Sequence, residues 1–136
     1  MHIDPFIGTW QLDPSKSNYE LGEPPATGWY RLEATETGYL ITMAWTTQAG
    51  QAMEMAYEGT PDGKVYPYAD SDVVDAISMT RVSAVQLNSA SFMAGQQIAH
   101  AARIMSEDGR VMTVVQSGNR TDGTLFQNTA VYRKQS

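Results

Sequence analysis

His100 is the side chain of this sequence best suited to move a proton near neutral pH. It lies in Ile98-Ala99-His100-Ala101-Ala102-Arg103-Ile104, in step with Ile98, Ala102 and Ile104 at the two-residue period of a strand. On an apolar, small-residue face turned toward free space, the imidazole could serve as general acid or base. With the phase reversed it lies on the outer surface, and a buried histidine satisfied by a neighbour is the other structural reading. Arg81 shares its phase with Ile77 and Met79. Turned inward, its guanidinium demands an anionic or strongly polar partner such as a carboxylate; at the strand end it would reach solvent instead. The Tyr57 hydroxyl, in phase with Met53 and Met55, is the third candidate for a catalytic set.

Around these residues the chain carries unusual apolar area. There are eight methionines in 136 residues, and Met43, Met53, Met55, Met79 and Met112 fall on the more apolar face of their segments. Methionine is flexible and polarizable, so such a face either lines an adaptable cavity or fills an awkward core. Trp29, Trp45, Tyr66 and Tyr68 add aromatic surface that could stack on a planar or cyclic ligand. Trp45 and Tyr57 share the inward phase of neighbouring segments, and Tyr66-Pro67-Tyr68 reads as a loop at a cavity mouth.

Several chemistries are disfavoured. The absence of cysteine removes disulfides, thiolate metal sites and a cysteine nucleophile. No phosphate-cradling glycine loop or Gly-x-Ser-x-Gly elbow occurs, and the one other histidine is His2 near the terminus. Asp70, Asp72 and Asp75 lack the ligand order of a calcium loop and read as a solvated acidic turn. No metal or cofactor is implied. A net charge of -6 with no basic run offers no source of counterion release, so nucleic acid is not an expected partner. No stretch reaches the roughly 18 apolar residues of a membrane span, and Met1-His2-Ile3-Asp4-Pro5 lacks the regions of a secretion signal. The expectation is a cytoplasmic protein of undetermined oligomeric state.

The elements that must position these residues are strands. Gly22-Glu23-Pro24-Pro25, Thr37-Gly38, Ala49-Gly50, Pro61-Asp62-Gly63, Asp108-Gly109 and Asp122-Gly123 punctuate the chain with turn chemistry. Between them, period-two segments are predicted at 29–34, 39–46, 52–58, 75–81, 83–89, 97–105, 110–116 and 125–133. Their apolar faces are expected to hold Ile98 and Ile104 in the sixth of these and Leu125 and Val131 in the last. Ser15 to Thr27 reads as a long connection and Asp70 to Val74 as a turn or short 3-10 segment. No amphipathic helix intervenes, although Pro5-Phe6-Ile7 could form a turn or helix closing one end. The composition, 42% hydrophobic and 18% charged, is that of a globular chain. The prediction is an all-β single domain over residues 1–136. It would be an antiparallel up-and-down barrel of about eight to nine strands, wide enough to be filled or to hold one small ligand.

These residues resemble the lipocalin and calycin barrels. Gly8-Thr9-Trp10 looks like the Gly-x-Trp signature at the start of their first strand, and Arg133 sits where the family often places a basic residue across that tryptophan. More of the chain is similar to a group of bacterial lipocalin-like proteins of poorly defined function. The likeness runs from Gly8 to Ser17 through Asp62 to Pro67 and Ser106 to Arg110 to Ala130-Val131-Tyr132-Arg133-Lys134. The resemblance implies an internal cavity and, by analogy, small-molecule binding, with Trp10 and Arg133 closing the barrel floor. The lipocalin disulfide is missing, and methionine and tryptophan stand where that group often has polar residues.

Two functions follow. In the first, the chain binds a small hydrophobic molecule, cyclic or aromatic, against Met, Ile, Trp and Tyr. In the second, a cofactor-independent isomerase, cyclase, lyase or hydratase acts on a hydrophobic substrate in the same cavity, with His100 as acid or base aided by Tyr57 or Arg81. The direction in which His100 points discriminates them.

Overall fold

The computed structural model describes residues 4–69, 72–120 and 122–135. Alternating sequence and turn residues give one antiparallel sheet of eleven strands among these residues. They are β1 (Gly8–Leu12), β2 (Asn18–Tyr19), β3 (Thr27–Ala34), β4 (Tyr39–Thr46), β5 (Ala52–Gly59), β6 (Asp62–Pro67), β7 (Ala76–Ser83), β8 (Gln86–Met93), β9 (Gln96–Met105), β10 (Val111–Asn119) and β11 (Leu125–Gln135). The order across the sheet is β5-β4-β3-β1-β11-β10-β9-β8-β7-β6, with β2 paired to β11. First and last long strands are thus neighbours, and the sheet curls into an incomplete barrel whose free edges are β5 and β6.

The all-β, antiparallel, calycin-like expectation agrees with this architecture, but three details differ. There are eleven strands rather than eight or nine. Among the described residues the helical element between strands is a 3-10 turn at Pro14–Lys16, which overlaps the start of the Ser15–Thr27 segment expected to be a long connection. The N-terminal residues form a turn, with the Ile7 N–H donating to the Asp4 carbonyl, rather than a helix. That turn seats Phe6 in the core, where it is fully buried. Residues 70 and 71 of the expected Asp70–Val74 turn, and with them Asp70 of the acidic group, lie outside the described residues. No described helix is long and apolar enough to cross a membrane.

Hairpin chemistry fixes the register. Between β8 and β9, Ala94 and Gly95 both have positive φ (52° and 79°), the backbone of a two-residue I′ turn. The Asp75 carboxylate accepts the Ala94 N–H at 3.0 Å and helps hold a conformation that alanine otherwise avoids. Gly38, between β3 and β4, is required for space: a Cβ there would sit 2.1 Å from the Gly59 carbonyl oxygen. Gly38→Ala must push two backbone segments apart, and a loss of about 1–3 kcal/mol is expected. Urea unfolding of both forms reads it directly, and an unchanged midpoint contradicts the close approach.

Inside the curl, alternate residues from nearly every strand meet. Trp10, Tyr30, Leu32, Tyr39, Ile41, Ile77, Met79, Leu87, Met105 and Met112 form one buried cluster with Phe6 and Tyr57. Trp10 donates its indole N–H to the Phe6 carbonyl at 3.2 Å, and the Lys134 ammonium lies 5.5 Å from its ring centroid. The cation over Trp10 is therefore Lys134 and not Arg133. The register explains the change: Trp10 faces Lys134, whereas Arg133 pairs with Gln11 and turns outward onto Asp13 at 3.0 Å.

Candidate functional site

Strand phase decides which side chains reach the interior. On β9, Arg103 and Met105 are buried while Ile104 is 39% exposed. Register places Met105 opposite Met112, Arg103 opposite Val114 and Ser89's strand neighbour Leu87, and His100 opposite Ser117 and Ala90. The expected phase is thus reversed: Ala99, Ala101 and Arg103 take the inner face and Ile98, His100, Ala102 and Ile104 alternate with them, although the half-buried His100 still borders the inner cavity between Ala99 and Ala101. The same correction applies to β11, where Asn128 and Ala130 are buried and Leu125 is exposed.

Arg103 then becomes the centre of the interior. Only 2% exposed, it donates from Nε to the Tyr30 hydroxyl (2.5 Å), from one terminal nitrogen to Ser89 Oγ (2.7 Å) and from the other to the Tyr57 hydroxyl (2.7 Å). Its guanidinium carbon lies 5.6 Å from the Tyr30 ring centroid. It makes no ion pair among the described residues, where the pairs are Arg81–Asp4 and Arg133–Asp13. Burial works against the Arg103 charge, but the Tyr30 and Tyr57 oxygens outweigh it and hold the group above its ordinary range. Burial likewise pushes the Tyr30 hydroxyl well above its ordinary value, so it stays protonated.

Counting hydrogens shows what this cluster lacks. A guanidinium has five N–H donors, and three are engaged here. The hydroxyls of Tyr30, Tyr57 and Ser89 each accept one of them and have no acceptor of their own among the described residues. Positive charge and spare O–H and N–H donors therefore converge in a buried place with no anion. Among the described residues the desolvation of this charge is offset by neutral hydroxyls alone, with no opposite charge.

A cavity of about 170 Å³ adjoins the cluster, bounded by Tyr30, Tyr57, Arg103, Ser91, Gln116 and Asn128 among others. It shares Tyr19, Met43, Met55, Gln116 and Tyr132 with a larger space of about 560 Å³. That larger space runs between the β4–β5 hairpin and the segment before β3, past Trp45, Leu12 and Pro25. The interior is thus polar and cationic at its inner end and apolar toward the mouth. Asn128 fastens one side of this mouth: its side chain accepts the Glu20 and Leu21 N–H groups and donates to the Leu21 carbonyl.

The other named residues are distributed as follows. Tyr57 joins the Arg103 cluster and meets Tyr68 edge-on, their ring centroids 6.5 Å apart. Met43 and Met55 border both spaces and Trp45 the outer one. Met79 and Met112 are packed in the core and border neither. Trp29, which alternates with the buried Tyr30 and lies beneath the Arg31 guanidinium, also borders the larger space. Met53 is partly exposed at the strand end. Tyr66 lies on exposed β6, a strand where a loop was expected, and donates to Asp62 at 2.5 Å. Among the described residues no group of three His, Asp or Glu stands close enough to hold a metal ion.

Arg81 has its carboxylate within the chain. It donates to Asp4 (3.1 Å), to the Tyr39 hydroxyl (2.7 Å) and to the carbonyls of Ser83 and Ala84, and it lies over the Phe6 ring. Tyr39 in turn donates to Asp4. This triad ties the N-terminal turn to β4 and β7 at the Phe6 end. Burial works to raise the Asp4 carboxyl, but hydrogen bonds from Tyr39, the Phe6 N–H and Arg81 outweigh it and hold it below its ordinary value. Burial, then the Asp4 hydrogen bond, push Tyr39 up to about 12 from 10.0. A lowered acid contributes stability above its unfolded value and loses it as pH falls through the folded one; a raised phenol contributes below 10.0 and loses it as pH rises through about 12. The difference in unfolding midpoint between the native chain and Tyr39→Phe should therefore stay constant from neutral pH to about pH 10 and shrink toward pH 12. A difference that is flat over the whole alkaline range contradicts the assignment.

No protein-family model and no curated protein sequence matches this chain. Solved structures do. A Schistosoma mansoni fatty acid binding protein in complex with arachidonic acid superposes with a TM-score of 0.58 at 12% identity, covering 97% of each chain. A zebrafish ileal bile acid-binding protein complexed with cholic acid superposes with a TM-score of 0.58 at 8% identity, covering 96% of this chain and 99% of the other. At such identities the likeness concerns the fold alone, an antiparallel β-barrel shared with these two proteins.

Proposed function

We propose that this chain binds a small amphipathic carboxylate, its acid group at Arg103 and its apolar body extending past Met43, Met55 and Trp45 toward the mouth. The observation that carries the reading is the Arg103 cluster: a buried guanidinium with three hydroxyl partners and no carboxylate. An incoming carboxylate supplies the acceptors that the cluster lacks, in charge-assisted bonds about twice as strong as neutral ones. The apolar space bordered by methionine suits a body that is matched by adaptable burial rather than by fixed polar contacts. Support of a different kind comes from the solved structures of similar fold, whose bound molecules are arachidonic acid and cholic acid. No observation favours the enzymatic alternative: His100, to which it assigned proton transfer, borders the inner cavity but alternates with the inward Ala99, Ala101 and Arg103, and no hydrogen bond among the described residues joins it to Tyr57 or Arg81.

Displacement of a fluorescent probe by oleate and by methyl oleate tests the reading. The two differ in little but the charge, so the native chain should prefer the acid by about tenfold or more, the worth of a charge-assisted hydrogen bond. Equal displacement by acid and ester contradicts it.

A further inference from the structure

The inner cavity and the larger space meet at a junction bordered by Tyr19, Met43, Met55, Gln116 and Tyr132, which line both. Strand pairing divides these residues between two walls. Met43 on β4 and Met55 on β5 are cross-strand partners and form the apolar wall. Gln116 on β10 faces Asn128 on β11, which in turn faces Tyr19 on β2, so Gln116 and Tyr19 share one cross-strand row. Tyr132 joins them from β11, its ring edge-on to Tyr30 at 5.4 Å. A ligand with its acid group at Arg103 has to pass this junction to reach the mouth, because Gln116 lies two residues along β10 from Val114, the partner of Arg103, a step of about 7 Å.

The polar wall is unsatisfied. Neither the Tyr19 and Tyr132 hydroxyls nor the Gln116 amide makes a hydrogen bond among the described residues, and all three remain open to the interior, since no fully buried side-chain polar atom lacks a partner. The other polar groups nearby are engaged: Tyr30, Tyr57 and Ser89 by Arg103, and Asn128 by the backbone of residues 20 and 21. Burial holds both tyrosines above their ordinary value, so each keeps its proton and can donate as well as accept. Water can serve these groups while the interior is empty. A plain alkyl segment that displaces it leaves three polar ends against methylene groups, and each loses a partner. A segment bearing a hydroxyl restores the bonds, while its other side rests on Met43 and Met55. The group they match is neutral, because none of the three carries a charge to pair with an ion.

We infer that this junction selects acids that carry a hydroxyl partway along the body, with Tyr19, Gln116 and Tyr132 as the residues that set the preference. The inference rests on the placement of the acid group at Arg103, and the test separates the two. Stearate, methyl stearate and 7-, 9- and 12-hydroxystearate each displace a fluorescent probe from the native chain and from Gln116→Leu/Tyr132→Phe. At least one hydroxy acid should bind the native chain more tightly than stearate, and the variant should shift the ratio of the two affinities toward stearate by about fivefold or more, the worth of one or two hydrogen bonds. The inference is overturned if the native chain prefers stearate to all three hydroxy acids, or if the ratio is the same in the variant. Stearate preferred to its methyl ester, with no preference for a hydroxyl, strikes this inference alone. Equal displacement by stearate and its ester strikes the reading of Arg103 and this inference with it. If the double variant does not fold, Tyr19→Phe, which keeps the ring and removes only the hydroxyl, carries the same comparison.

Discussion

Arg103→Met is expected to remove the chain's preference for acids while changing the stability of the ligand-free chain little. Removing one partner of a buried pair normally leaves an uncompensated charge, but here the charge itself is what goes. The remaining groups, Tyr30, Tyr57 and Ser89, are neutral hydroxyls. Replacing buried ionic groups by apolar residues of similar volume is often stabilising by about 1–4 kcal/mol. Against this stands the loss of three hydrogen bonds, each contributing about 1 kcal/mol or somewhat more. Met can fill the space of the arginine stem, and the hydroxyls adjoin a cavity that has room for water. Gain and loss nearly cancel, so the stability of the ligand-free chain should change by no more than about 2 kcal/mol. Urea unfolding and oleate displacement on the same variant measure both effects. A variant with unchanged affinity for oleate, or one that loses several kcal/mol, would assign Arg103 to the scaffold.

Trp10→Ala should have the largest effect on stability. Trp10 is fully buried, bonded to the Phe6 carbonyl and capped by Lys134, and it sits where β1 joins β3 to β11. Truncating a buried tryptophan costs about 3–5 kcal/mol, a large part of the roughly 5–15 kcal/mol that holds a domain together. The loss should exceed that of Lys134→Met, since a half-buried cation over a ring contributes between about 0.5 and 2 kcal/mol. Denaturant midpoints of the two variants decide it. A Trp10→Ala protein within about 1 kcal/mol of the native chain would mean that β1 closes the sheet without its indole.

The strands were legible in the sequence where one face is buried and the other solvated. Tyr39–Thr46 has the same limits in sequence and structure because its alternation is strict and Thr37-Gly38 and Ala49-Gly50 bound it. β6 escaped notice because all six of its residues are exposed, so it has no alternation to read, and its Gly63 and Pro67 are turn residues elsewhere. β2, at two residues, is too short to show a period.

The site was harder to read than the fold. On β9 the set Ile98, His100, Ala102 and Ile104 is more apolar than the inward set Ala99, Ala101, Arg103 and Met105, so hydrophobicity chooses the wrong face. The inversion is produced by function as proposed here: an arginine has been placed in the interior and small residues beside it keep space open. A signal was available in the hairpin partner, because Met112 and Val114 on β10 lie opposite Met105 and Arg103. Arg81, expected to need an anionic or strongly polar partner if turned inward, has a carboxylate within the chain, Asp4, 77 residues away in sequence, a pairing that the curled sheet brings about.

The most direct measurement of the central claim is the ionisation of a bound acid. Oleate labelled with carbon-13 at its carboxyl carbon reports its own protonation by NMR, free and bound, as pH is lowered through the ordinary carboxyl range near about 4–5. With Arg103 and the hydroxyls of Tyr30 and Tyr57 against it, the bound carboxylate should remain ionised below the pH at which exposed carboxylates titrate, and that protection should vanish in Arg103→Met. A bound acid that titrates as an exposed one does, or that behaves identically in the variant, contradicts the placement of the acid group at Arg103.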